Sequence, residues 1–301
     1  MKSRSASGYA LVAGSFAIFG LIGTLVEWAT APESALLVIR FAVAGLVLGV
    51  VFARRRPLAG ARDRAVWPRL LLMGTIDAFS MLLFFVAMRA NGVAIGMFLQ
   101  FLAPVWVAVV APRVLRARTD RVVYPALVLA LGGLAVILGP SLFGESSHLS
   151  WWGVCAGLLA GVGYAAFQLS VKDLTKRVSS VGIVIAEAWI DVVVLLPLAL
   201  WQTLGAGYRL TSTDLLSGLI LGLVCTALGY TMWTEGVGRI RVQHSSILGY
   251  LEPVTAPVYA LLLLGQSISG WTIAGGALII VAGVLILVWG EREDPVLEPP
   301  T

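Results

Sequence analysis

The chain has 301 residues, of which 59 % are hydrophobic and only 12 % carry a charge, and its mean hydropathy is +0.93. A soluble globular domain carries about 25 % charged residues, so this sequence cannot clothe a water-facing surface in the usual way. The net charge of +5 and an isoelectric point near 9.5 would suit a nucleic-acid partner in a soluble protein. Here the basic residues sit between apolar runs, where membrane topology explains them and no nucleic acid is implied.

Windows free of Asp, Glu, Lys and Arg cover 8–26, 90–112, 122–144, 149–171, 215–234 and 253–290. A hydrocarbon core of roughly 30 Å takes about 20 mostly apolar residues as helix. Barrel strands would instead alternate in polarity over about ten residues. The chain therefore reads as an all-α polytopic membrane protein. Its ten transmembrane helices are expected at 8–26, 34–53, 67–88, 91–111, 122–140, 150–170, 181–200, 214–235, 243–264 and 271–290. The first stretch lacks the small-residue cleavage site of a signal peptide and is read as a retained span. Within 253–290 the break is GQSISG at 265–270, two glycines around polar residues, which predicts a tight turn. Cys155 and Cys225 fall inside spans and suggest neither a disulfide framework nor a metal motif.

With the N-terminus cytoplasmic, every basic residue except Arg40, Arg89 and Arg209 lies in or beside an inside segment. The inside clusters include Arg54–Arg56, Arg113–Arg121, Lys172–Arg177, and Arg239 with Arg241. Basic residues in short loops favour the cytoplasmic side. Ten spans with both termini cytoplasmic, in what is expected to be a bacterial plasma (inner) membrane, satisfy that rule.

The chain also repeats itself. FLAPVW at 101–106 matches YLEPVT at 250–255, and ALVLALGGLAVI at 126–137 matches ALIIVAGVLILV at 277–288, which puts Gly132 on Gly283. Two halves of five helices follow, 1–145 and 146–301, the second ending in a short cytoplasmic tail. Five is odd, so the second half enters the membrane from the opposite side. The loop charges agree: the loop after span three is nearly charge-free, whereas its partner after span eight carries Arg239 and Arg241. Two inverted five-helix repeats are a recurrent design of secondary transporters, with the substrate site near the midplane where the halves meet.

With ten helices, two five-helix repeats and an apolar-Pro-Val motif in the fourth helix of each, the sequence resembles the EamA-type transporters of the drug/metabolite transporter superfamily. The resemblance implies export or exchange of small metabolites, often amino acids. Many members carry a glutamate soon after the fourth helix of a repeat; this chain has VVAPRVLRART and LLLLGQSIS, with Gln266 in that place.

Charges deep in a membrane usually face a bundle interior or a wet cavity. Asp77, Glu187, Asp191, Glu252 and Arg40 are the candidates here. Glu252 lies near mid-depth of helix nine beside Pro253, whose ring clashes with the carbonyl four residues back, that of Gly249; Pro257 repeats the effect one turn on. A freed acceptor at that depth needs protein or water, so the kink and the acid point to a cavity wall, or to a structural carboxylate held by hydroxyls. Pro104, the equivalent kink, has Ala103 beside it in place of an acid. Gln100, Gln243 and Tyr250 could bind a substrate or hold helices together. Arg40 lies about 9 Å inside helix two; it could snorkel, pair with an acid or hold a substrate carboxylate. Glu187 and Asp191, four apart, share a helix face, so at least one is protonated, solvated or paired, Arg40 being one partner if helices two and seven meet. Asp77 is a lone acid in helix three and a proton-carrier candidate. His244, near the inner end of helix nine, is expected to be an interface residue.

Trp28, Trp67, Trp151, Trp152, Trp201, Trp271 and Trp289 near span ends form an aromatic belt. Trp106, Trp189 and Trp233 either pack in the core or stack on a substrate. Glycine pairs at 45–49, 92–96, 157–161 and 218–222 allow close helix approach, within one chain or in a homodimer. No nucleotide loop, metal cluster or nucleophile arrangement recommends an enzyme, and no cofactor is implied. The favoured function is a secondary active transporter exporting small metabolites such as amino acids by alternating access, with lipid, a small-molecule substrate and possible proton coupling as its partners. The alternatives are a facilitative or exchange carrier for nucleotide-like, cationic or drug-like amphipathic solutes, a channel, and a non-transporting scaffold.

Overall fold

The computed structural model describes residues 2–58, 60, 63–115, 119–143, 150–205 and 207–290, and all regular structure among them is helical. Ten helices are long and apolar enough to cross a membrane: Ser5–Trp28, Glu33–Val51, Trp67–Asn91, Val93–Val114, Val123–Pro140, Trp151–Leu174, Ser180–Gly205, Ser212–Arg239, Val242–Leu264 and Gly270–Trp289. These are the expected spans with their ends shifted by a few residues. Helix is what lipid demands, because each segment then satisfies its own backbone. The proposed division at 145/146, the tail at 291–301, and Arg62, Arg116, Arg118 and Arg292 lie outside the described residues.

The spans pack in a definite pairing. The third runs along the sixth, the second along the seventh, the fifth along the tenth, and the first along the eighth. Glycines set the closest approaches. A Cβ on Gly161 would stand 2.7 Å from the Leu99 carbonyl oxygen, and one on Gly222 the same distance from the Arg40 carbonyl oxygen. The pairs that held open a dimer are thus occupied within the chain at several positions, Gly157 and Gly218 included. All seven end tryptophans are exposed, whereas Trp233 is buried and stacked on Phe167 at 5.6 Å.

Polar contacts clip the two ends of the bundle separately. At one end Arg69 bridges to Asp173 (2.9 Å), Lys172 Nζ donates to the carbonyls of Val237 and Ile240 (3.0 and 2.7 Å), and Arg239 bridges to Glu235. At the other, Arg89 bridges to Glu33 (2.8 Å), Asn91 and Ser150 exchange hydrogen bonds, and Gln266 donates to Glu27 (2.8 Å). The 265–270 turn behaves as expected: Gly265 takes φ 69°, which favours glycine, and Ser269 caps the last helix through the Thr272 amide.

Several spans are interrupted, and two of the breaks correct the expectation of a bent helix. The ninth span ends an α-helix at Leu248 and starts another at Leu251, so Pro253 sits in a first helical turn, where its missing N–H leaves no bond unmade. The Gly249 carbonyl accepts from the Glu252 amide at 3.1 Å and is not left free. The fourth span likewise stops at Gln100 and restarts at Ala103, with Pro104 in its first turn. Pro257 alone of the three lies within a continuing helix. The eighth span winds as π-helix from Leu221 to Tyr230.

Gly222→Leu should force the second and eighth spans apart. A loss of about 1–3 kcal/mol is expected, read as a lowered thermal midpoint of the purified protein, while Gly49→Leu, where a Cβ meets open space, should leave it unchanged.

Candidate functional site

The third and seventh spans bring three acids together. Asp77, Glu187 and Asp191 are all buried, and one carboxyl oxygen from each lies within 4.8 Å of the others. The sequence places Glu187 and Asp191 one turn apart on one face. Gly74, one turn before Asp77, meets the Ile190 side chain and so lets the third span seat its acid against that face. Asp77 Oδ2 and all four carboxyl oxygens of Glu187 and Asp191 have no hydrogen-bond partner.

Arg40 approaches from the second span. Its neighbour Phe41 is buried in one cluster with Ala188, which stands between the two acids of the seventh span. Arg40 is 3 % exposed, and its Nε donates to Thr226 Oγ1 at 2.6 Å. The guanidinium lies over the rings of Phe41 (5.3 Å) and Tyr230 (5.4 Å). Thr226 and Tyr230 come from the π-helical segment, where the Thr226 hydroxyl donates to the Leu221 carbonyl five residues back. The π-helix is rare and recurs at functional sites, which makes this placement informative. Arg40 Nη2 has no partner, and no ion pair among the described residues includes Arg40. Its charge nonetheless reaches Asp77, Glu187, Asp191 and Glu252. The three carboxyls could surround a cation; the neighbouring arginine opposes a divalent metal there by like-charge repulsion.

The other sequence candidates divide. Glu252 is half-buried in the first turn of the helix that begins at Leu251, outside the three-acid group. Gln100 is half-buried at the break of the fourth span. Tyr250 is fully buried, and its hydroxyl donates to the Phe101 carbonyl at 2.6 Å, with the two rings stacked at 5.8 Å. That carbonyl lost its usual helical donor at the break, since Val105 N–H bonds to Leu102 instead. His244 lies at the start of the ninth span, buried between Tyr9 Oη (2.6 Å from Nδ1) and Asp120. Sequence reasoning missed Thr226 and Tyr230. The only signal was a hydroxyl and a phenol one turn apart in LGLVCTALGY.

Ten membrane-crossing helices around a buried, mixed-charge site define a polytopic membrane protein of the transporter type. The sequence pattern of the EamA-like transporter family matches the chain twice, over 6–139 and 151–289, and the chain belongs to that family. A probable terminal-alkyne amino-acid exporter of Streptantibioticus cattleyicolor is 28 % identical, with 93 % of this chain and 97 % of that protein covered. YwfM, an uncharacterized transporter of Bacillus subtilis, is 28 % identical over 99 % of this chain and 98 % of its own length. The pseudopaline exporter CntI of Pseudomonas aeruginosa is 26 % identical over 93 % and 95 %. A solved crystal structure shares the fold at a TM-score of 0.80 and 16 % identity, covering 96 % of this chain and 99 % of that one.

Tyr250→Phe should strip the Phe101 carbonyl of its donor. A buried acceptor left unmade is worth about 1–3 kcal/mol, so the thermal midpoint should fall. An unchanged midpoint would mean that the carbonyl finds water.

Proposed function

We propose that this membrane transporter exports small metabolites of the amino-acid type by alternating access, with Asp77, Glu187, Asp191 and Arg40 as its substrate and proton site. One observation carries the reading: acids and a base from different spans are buried together, with Asp77 Oδ2, the carboxyl oxygens of Glu187 and Asp191, and Arg40 Nη2 lacking hydrogen-bond partners. Isolated charges in a low-dielectric interior cost several kcal/mol each, and a fold that gathers them at that cost has a use for them. Protons on these carboxyls would relieve part of it, and the charged ends of an arriving solute the rest. The names of the S. cattleyicolor and P. aeruginosa relatives favour export, and that of the S. cattleyicolor protein favours an amino-acid cargo.

In this reading the halves are inverted repeats, 1–145 and 146–301, with both termini on the cytoplasmic side of a bacterial plasma membrane. Phe101 and Tyr250, 149 residues apart, occupy the same position of the motif and touch each other, as two residues on a two-fold axis must. The pairing of spans supports the same axis: two with seven and five with ten map onto themselves, and one with eight exchanges with three and six.

Counterflow of amino acids in proteoliposomes tests the function. Asp77→Asn, Glu187→Gln and Asp191→Asn should each reduce saturable counterflow by about tenfold or more, equivalent to ~1.4 kcal/mol. Wild-type rates in all three would remove the cluster from the mechanism, and non-saturable flux would point to a channel. Tags placed within 113–121 and 265–270 should report opposite faces of the membrane; a shared face would refute the inverted arrangement.

A further inference from the structure

Resting on the reading of this cluster as the substrate site, we propose that Asp77, Glu187 and Asp191 cradle the protonated amine of the solute while Arg40 Nη2 takes a carboxylate of the same molecule. The site is thereby specific for the zwitterion.

Three observations carry it. The first is spacing. An ammonium group has three N–H donors and no acceptor. Three charge-assisted bonds of about 2.8 Å at tetrahedral angles place their acceptors about 4.6 Å apart, a spacing compatible with three carboxyl oxygens that lie within 4.8 Å of one another. The second is the fixed arginine. Thr226 holds Nε and the Phe41 and Tyr230 rings flank the guanidinium, so the head is oriented and Nη2 remains to be used. The third is that the opposite charges do not close on each other. Arg40 reaches the acids electrostatically but makes no ion pair with them. A ligand that carries both a cation and an anion completes both halves of the site at once, whereas a simple amine leaves Arg40 bare and a simple carboxylate leaves the acids bare.

A charge rule follows. The net charge of a buried cluster is held near constant because each uncompensated charge is costly. A zwitterion adds none, so its binding releases no net protons. A solute with one net positive charge should displace one proton, which leaves a carboxyl oxygen for solvent as the ammonium arrives. Proton stoichiometry then equals the net charge of the cargo.

The test is titration calorimetry of the full chain in nanodiscs, in buffers of different ionisation enthalpy. The ligands are leucine, leucinamide and N-acetyl-leucine, with the matching phenylalanine set. Leucine or phenylalanine should bind with no net proton release, and its amide about tenfold or more weaker with about one proton released per molecule. The N-acetyl compound, which has no ammonium, should not bind. Arg40→Gln should erase the preference for the free acid over the amide, and Arg40→Lys should restore part of it; thermal melts of both variants report whether they fold. N-acetyl-leucine binding as well as leucine, an unchanged preference in folded Arg40→Gln, or no binding of either amino acid would overturn the proposal. The broader reading is judged separately: a solute of another class, whose counterflow the acid variants abolish, leaves the cluster as the transport site and removes the zwitterion from it. Counterflow indifferent to those variants removes both.

Discussion

Hydrocarbon offers no water to a polar group that lacks a partner, and that constraint organises this molecule. Along the spans, hydroxyls donate to nearby carbonyls, as Ser15 does to Val12, Ser80 to Ala160 and Thr203 to Ala199. Lys172 takes the carbonyls at the end of the eighth span, and Tyr250 takes an acceptor that the break in the fourth exposes. Against this economy the bare oxygens of Asp77, Glu187 and Asp191 stand apart. Neutral side chains such as Ser217 and Thr234 are also unpartnered, but a missing neutral hydrogen bond costs a few kcal/mol at most, far less than an unpaired charge. The acids are therefore the place where the fold is incomplete without something else.

The helix breaks belong to the same constraint. An interruption at membrane depth leaves carbonyls without donors, and the chain handles the two motif breaks differently. In the ninth span a tight turn closes the gap within the backbone; in the fourth the ninth span supplies a tyrosine. The apolar-Pro-Val motif thus serves as a starter of the second half-helix, with proline placed where its ring is compatible with a first turn.

Much of this was legible in the sequence because it is dictated by solvation over many residues. Span number, loop charge, the 265–270 turn and the shared face of Glu187 and Asp191 follow from hydropathy and helical spacing. The helix breaks were misjudged as bends because the proline rule was applied to an uninterrupted helix, and nothing local marks where hydrogen bonding stops. The joining of Asp77 and Arg40 to the acids of the seventh span is tertiary: it depends on which helices pack, and on Gly74 and Gly45 permitting the approach to Ile190 and Trp189. Thr226 was invisible for the same reason, with the added shift of a π-helical turn.

The proposed repeat accounts for the dipolar character of the proposed site. Thr226 stands 149 residues after Asp77, the offset that relates the two motifs, and Glu187 lies in the region of the seventh span that corresponds to Arg40 in the second. On the proposed two-fold, the contact of Arg40 with Thr226 maps onto the contact of Glu187 with Asp77. In that proposed arrangement the backbone places the two contacts symmetrically, and the side chains break the symmetry: a base and a hydroxyl on one side of the axis, acids on the other. A duplicated frame offers two equivalent cradles, and divergence of these four positions is sufficient to make one cationic and the other anionic. A second asymmetry runs along the membrane normal. The first half of the ninth span, Val242–Leu248, is wholly buried, whereas its counterpart Val93–Gln100 is half-buried or exposed except at Gly96. If the halves exchange roles, the packed segment opens and the open one packs, and the dipolar site between them meets each side of the membrane in turn. The chemistry of the site would then be fixed while access to it alternates, as a carrier for a charge-separated solute requires.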